Sequence, residues 1–187
     1  MSLETLVEQP FELLLELERR AKAAIAARDG ADTSSEEWVG IGFRLGAERF
    51  VAPRGDVREI LPLPESVTRV PGAKSWLRGI ANIRGQLITV VDLRSFLGAG
   101  RSQPDRRARV LLAASREVPT ALVVDEVLGF RRFGEDEFSE EPPATVIRCE
   151  HYINGSYRRG TEVWPRFSFS KLLEDEHFLN AGETAKV

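Results

Sequence analysis

The feature that most restricts the fold is Leu87–Val91, a short apolar run that directly follows the polar turn Asn82-Ile83-Arg84-Gly85. Leu87 and Val91 fall on one face of a strand and Ile88 and Val90 on the other, with Thr89 the exception. A β-branched run that is apolar on both sides suits a strand enclosed on both faces, as in a small barrel or sandwich. Gly79 and Gly85 flank the turn arginine and let the backbone bend and another surface come close. A rigid strand with a presented arginine is the geometry of a docking site rather than of a reaction centre.

The chain has 187 residues, enough for one ordinary domain or two small subdomains that share a core. Its net charge of -3 gives no general attraction to nucleic acid or to anionic membranes. A lone cysteine, Cys149, excludes an internal disulfide, fits a reducing cytoplasm and reads as an unreactive thiol. No run approaches the roughly 20 apolar residues that a membrane helix needs. No basic start followed by an apolar core marks a signal peptide, so a cytoplasmic location without direct membrane insertion is expected.

Residues 1–36 read as a helical extension and linker. Phe11, Leu14, Leu17, Ala21, Ala24 and Ile25 recur near helical spacing after Pro10, which predicts an amphipathic helix over 11–27 that Asp29-Gly30 stops. Its apolar stripe either packs on its own domain or docks on a partner. Residues 37–180 read as the main domain and 181–187 as a flexible tail. Strands are expected over 41–45, 50–52, 57–61, 87–91, 110–114, 121–127 and 161–169. A short helix over 94–97 ends at Gly98, and a Gly-, Ser-, Pro- and Arg-rich loop spans 98–108 between two halves. Val118-Pro119 marks one hairpin and Asn154-Gly155 another, type I′ by composition. Ser170 is the expected cap of a closing helix through Leu179. The segments VVDLRSFLG and RFSFSKLLE both run from strand into short helix, a faint echo between halves of about five strands each.

Catalytic chemistry lacks its usual groups. His151 and Cys149 are too few for a structural zinc site, and His177 reads as solvated. None of the common phosphate-loop, dinucleotide or nucleophile-elbow patterns occurs. Asp92 and Asp125 each follow an apolar strand, where such a residue more often ends the strand and bonds to a turn than performs catalysis. No metal, cofactor or enzymatic activity is expected. Single-stranded nucleic-acid binding is the rival class, with Arg101, Arg106, Arg107 and Arg109 as a basic cluster and Phe130, Phe133, Tyr152 and Tyr157 as stacking surfaces. A solvated linker is the plainer reading of that cluster, and the acidic run 135–141 opposes a phosphate backbone.

The 77–94 segment resembles the chemotaxis coupling proteins of the CheW type. Their G-x-x-N-x-R-G turn, apolar strand and D-L-R ending read here as Gly79 through Gly85, Leu87–Val91 and Asp92-Leu93-Arg94. Phe50-Val51-Ala52-Pro53, Val57-Arg58-Glu59-Ile60 and Ala121-Leu122-Val123-Val124-Asp125 resemble further strands of the family, and the likeness spans about residues 38–178. After Asp125, and over 134–143, the match loosens.

The resemblance implies a mainly β fold of two intertwined, SH3-like, five-stranded barrels, here with an N-terminal amphipathic helix and a short C-terminal helix. It implies a non-catalytic scaffold that couples a methyl-accepting chemotaxis receptor to a CheA-type histidine kinase at membrane receptor arrays. The N-terminal Pro10-Phe11-Glu12-Leu13-Leu14, the block 38–43 and Pro71 through Trp76 look closest to the PilI-type adaptors of type IV pilus signalling, which controls twitching motility. A general flagellar coupling protein is the neighbouring alternative. Carried over residue by residue, the receptor contacts are Arg84 with Val57, Glu59 and Ile60, although Val57 or Ile60 can equally face the core.

Overall fold

The computed structural model describes residues 37–103, 105–115 and 117–182. The expected N-terminal helix, its linker and the last five residues lie outside the described residues.

Eleven strands among the described residues form two sheets. The first half contributes β1 (Trp38–Leu45), β2 (Glu48–Pro53), β3 (Val57–Pro62), β4 (Leu77–Ile83), β5 (Gln86–Asp92) and helix α1 (Leu93–Phe96). The second contributes β6 (Arg109–Ala113), β7 (Thr120–Val124), β8 (Glu126–Phe133), β9 (Phe138–Ser139), β10 (Ile153–Arg159), β11 (Glu162–Phe167) and helices α2 (Phe169–Glu174) and α3 (Glu176–Leu179).

Each sheet takes strands from both halves. One runs β8-β1-β2-β11-β10-β9 and the other β3-β6-β7-β5-β4. Apart from the two-residue β9, the orders superimpose term by term: β1–β2 corresponds to β6–β7, β3 to β8, and β4–β5 to β10–β11. Each sheet contains one parallel pair, β2 with β11 and β5 with β7. The halves have thus exchanged their first hairpins, so sequence halves and spatial sheets do not coincide. The echo seen in the sequence marks the equivalent strand-to-helix corners. Asp92 caps α1 by accepting from the Ser95 amide (3.0 Å), and Ser168 caps α2 by accepting from the Lys171 amide (3.3 Å).

The exchange explains the doubly apolar strands. Val110 and Leu112 of β6, Ala121 and Val123 of β7, and Ile88 and Val90 of β5 fill the interior of the five-stranded sheet. The alternate residues Leu111, Ala113, Leu122, Val124 and Val91 point to a larger core, joined by Phe43, Phe50, Phe167, Leu93, Phe169 and Leu172. A strand with apolar neighbours on both faces shows no alternation in hydropathy.

Several boundaries differ from the sequence expectation. The run 121–127 breaks at Asp125, where the chain leaves one sheet and enters the other. The Asp125 carboxylate accepts from the Gly46 amide (2.6 Å), and its amide donates to the Arg44 carbonyl (3.1 Å). Asn154-Gly155 is no hairpin turn but a bulge inside β10, and the turn falls at Gly160-Thr161. Gly155 has φ +79°, and a Cβ there would lie 2.4 Å from the Ser139 carbonyl oxygen as β9 crosses. The last strand is shorter than 161–169 because Ser168, not Ser170, starts the helix. Asp175 then splits the closing helix in two. It caps α3 by accepting from the His177 and Phe178 amides, and it also accepts from the Tyr152 hydroxyl (2.8 Å). These hydrogen bonds outweigh the opposing effect of desolvation and hold the Asp175 carboxyl below its ordinary range. At the C-terminal end, Gly182 bridges Ala73 and the Ala181 carbonyl accepts from the Lys74 amide, so these two residues are tied to the domain.

Candidate functional site

The G-x-x-N-x-R-G segment folds as a two-residue hairpin between β4 and β5. Arg84 and Gly85 have φ +53° and +80°, the positive pair that a type I′ turn requires. Asn82 closes the turn by accepting from the Gly85 amide through Oδ1 (2.8 Å). Gly79 has φ +139°, and a Cβ there would fall 2.1 Å from the Thr68 carbonyl oxygen. Its missing side chain admits the 67–68 segment, where Thr68 and Ile80 exchange two backbone hydrogen bonds of 2.8 Å. Asp92 is wholly buried and accepts from the Ser95 amide and from the Ser102 amide (3.1 Å). Arg94 donates to the Ala99 carbonyl (2.9 Å) and stands 3.7 Å from Asp125. The polar side chains and glycines of the motif are therefore committed to the fold.

Arg84 is the exception. It is the one non-glycine residue at positive φ among the described residues, and its side chain is 74% exposed. A left-handed backbone costs an ordinary L-residue roughly 1–2 kcal/mol, and asparagine or glycine would suit the position better. An arginine held there points to a use outside the fold.

Glu59 of β3 pairs with Arg84 at 2.5 Å, and Arg58 donates to the Gln86 side chain at 3.3 Å. Because β3 and β4 are the outer strands of the five-stranded sheet, these contacts show its two ends curling together, as in a barrel. Of the four residues carried over from the family, Arg84 and Glu59 meet. Val57 instead belongs to the central core at 8% exposure, and Ile60 is half-buried against that core.

Reading the sequence missed two neighbours of Arg84. Leu87, expected to be enclosed, is 73% exposed, and Ile80 is also exposed. The pairs Asn82–Leu87 and Ile80–Thr89 set them on the outward face of the hairpin. Enclosure reaches only Val91, where the central core begins. The alternation of Leu87, Thr89 and Val91 carried this signal, but it does not say where along a strand the cover stops.

The other candidates are structural or scattered. Burial is the main cause that pushes the Cys149 thiol up to about 11, far from reactivity at neutral pH. His151 lies exposed in a 3-10 turn. Phe133, Tyr152 and Tyr157 are buried and present no stacking surface, which leaves Phe130 alone exposed. The basic cluster also disperses. Arg107 pairs with Asp105 (3.1 Å), Arg109 donates to the Arg106 and Ala108 carbonyls (2.8 Å each), and Arg101 borders both the cavity beside Asp105 and Arg107 and a second one lined by Arg69 and Arg78. Among the described residues no group of three or more acidic, histidine or cysteine side chains could hold a metal ion, and no helix is long and apolar enough to cross a membrane.

Comparison with known proteins agrees with this architecture. Protein PilI of Pseudomonas aeruginosa is 37% identical over 174 residues, covering 93% of this chain and 97% of its own. Protein FrzA of Myxococcus xanthus is 29% identical over 133 residues, covering 71% and 82%. Among solved structures, the scaffolding protein TtCheW from Thermoanaerobacter tengcongensis shares the fold with a TM-score of 0.63 at 23% identity, over 73% of this chain and 87% of that one. A model of the CheW-like domain matches residues 39–177. With that match across most of its length, the chain belongs to the CheW-like domain family.

Proposed function

We propose that this chain is a non-catalytic, cytoplasmic adaptor that couples a methyl-accepting chemotaxis receptor to a CheA-type histidine kinase in type IV pilus twitching motility. The family supports the scaffold role, and the likeness to PilI over nearly the whole chain favours the pilus branch over a general flagellar coupling protein. The observation that carries the reading is Arg84, an exposed guanidinium kept on a strained backbone at the tip of a rigid hairpin.

The surface around it suits a partner. Leu87 and Ile80 give apolar contact, while Arg84 gives directional, charge-assisted hydrogen bonds to a carboxylate. Its present partner Glu59 holds it weakly, since an exposed ion pair is worth only about 0–1 kcal/mol. A receptor carboxylate can replace Glu59 at little expense. Val57 and Ile60 serve this surface from below, by fixing β3.

Arg84→Asn is the cleanest test, because asparagine suits the turn and removes only the guanidinium. Titration of the receptor signalling tip against both proteins should show affinity lower by about ten- to a hundredfold, the equivalent of roughly 1.5–3 kcal/mol. Unchanged affinity removes Arg84 from the receptor surface.

A further inference from the structure

Three arginines with no ion pair converge on one cavity at the far end of the β4–β5 hairpin. The cavity, of about 210 Å³, is lined by Arg69, Arg78 and Arg101. Arg78 is six residues from Arg84 along the hairpin, about 20 Å at the rise of a strand, so this is not the surface described above.

Each arginine is held by the fold. Arg69 follows Thr68, whose two backbone bonds to Ile80 pin it beside β4. Arg78 lies within β4 itself. Arg101 precedes Ser102, whose amide is tied to the buried Asp92. No carboxylate lines the cavity among the described residues. None of the three arginines forms an ion pair there. Nη1 of Arg78 is shielded from solvent and has no hydrogen-bond partner. A buried donor without a partner is costly, and three like charges around one space repel. Both penalties disappear if an anion occupies the cavity.

We infer that Arg69, Arg78 and Arg101 form a binding site for a phosphate group. A carboxylate offers two oxygens, which one or two guanidinium forks satisfy. Three arginines from three separate segments suit a group that accepts on three oxygens. Val90 and Val123 give the cavity an apolar floor, beside which a charge interaction is stronger than in open water. Leu63 and Val67 add apolar wall that can meet the carbon body of a phosphate ester. This site does not depend on the coupling role.

The test is a calorimetric titration of the full chain at constant ionic strength with inorganic phosphate, glycerol phosphate, acetate and chloride. One or both phosphates should bind with a single site, and the tighter of the two identifies the free ion or an ester as the source. Arg101→Gln and Arg69→Gln, both at exposed positions that leave β4 intact, should each weaken that binding about tenfold or more. Binding equal to that of acetate or chloride, or binding that neither substitution changes, overturns the assignment.

Discussion

The five-stranded sheet encloses aliphatic side chains, Ile83, Ile88, Val90, Val110, Leu112 and Val123 among them, whereas the six-stranded sheet encloses Phe133, Tyr157 and Trp164 with Val51. The aliphatic interior is assembled from many small contributions, and each strand shows its apolar residues plainly. The aromatic interior is filled by a few rings. Phe133 and Tyr157 stack at 4.5 Å, and Trp38 stacks on Tyr157 at 4.6 Å. Strands facing such rings must make room or offer cations. A Cβ on Gly40 would fall 2.4 Å from the Trp38 ring and 2.6 Å from Val51, and one on Gly42 would lie 3.1 Å from the Trp164 ring. Arg131 and Arg166 cover the Trp164 and Trp38 rings at 5.2 and 5.1 Å.

The contrast teaches how two sheets of one strand order can use different chemistry. Many β-branched side chains hold the hairpin that presents Arg84. Large rings concentrate stability in a few positions and leave that barrel's strands rich in glycine and arginine.

The largest effect should come from Trp164→Ala, with a loss of about 3–5 kcal/mol, against only about 0.5–1.5 kcal/mol for Ile88→Val in the other interior. Denaturant melts of both variants check this, and equal losses would break the comparison. Next is Gly40→Ala, expected to lower stability by about 1–3 kcal/mol through the clash with Trp38. Adding Trp38→Leu should recover part of that loss, and no recovery would show that Val51 rather than the ring sets the cost. The smallest is Arg84→Asn, whose melting free energy should stay within about 0.5 kcal/mol of the parent. Relief of the left-handed backbone there offsets the lost, exposed Glu59 pair. A large drop would mean that Arg84 serves the fold and not a partner.

Both sheets were partly legible in the sequence: β1, β2 and β11 of the aromatic sheet lie near the expected 41–45, 50–52 and 161–169, whereas β4 of the aliphatic sheet was not among the expected strands. In the aliphatic sheet the strands near 57–61, 87–91 and 110–114, the Val118-Pro119 hairpin and the helix after Asp92 lie where the pattern put them. In the aromatic sheet β8 was merged into β7, and the Asn154-Gly155 bulge was taken for a turn. The reason is local: the chain changes sheet at Asp125 without a break in its apolar run, and a bulge and a turn both ask for a positive-φ glycine, so hydropathy and turn composition mark neither difference. Of the candidate site, Arg84 stands in the turn motif and Glu59 came from the family likeness, while their pairing is a matter of the fold. Val57 was left open between surface and core, and the exposure of Leu87 and Ile80 was not foreseen, because alternation gives a side chain's face but not what covers it.

The sequence by itself determined what is local. The turn asks for positive φ at Gly85, Asn82 can close it, and an aspartate or serine at the end of a strand starts α1 and α2; all act within a few residues. Tertiary structure alone decided the exchange of hairpins between halves, the exposure of Leu87, the burial of Val57 and the meeting of Arg69, Arg78 and Arg101. These depend on which distant strands share a sheet. Backbone hydrogen bonding is the same for every sequence, so that choice rests on how the whole set of buried side chains packs.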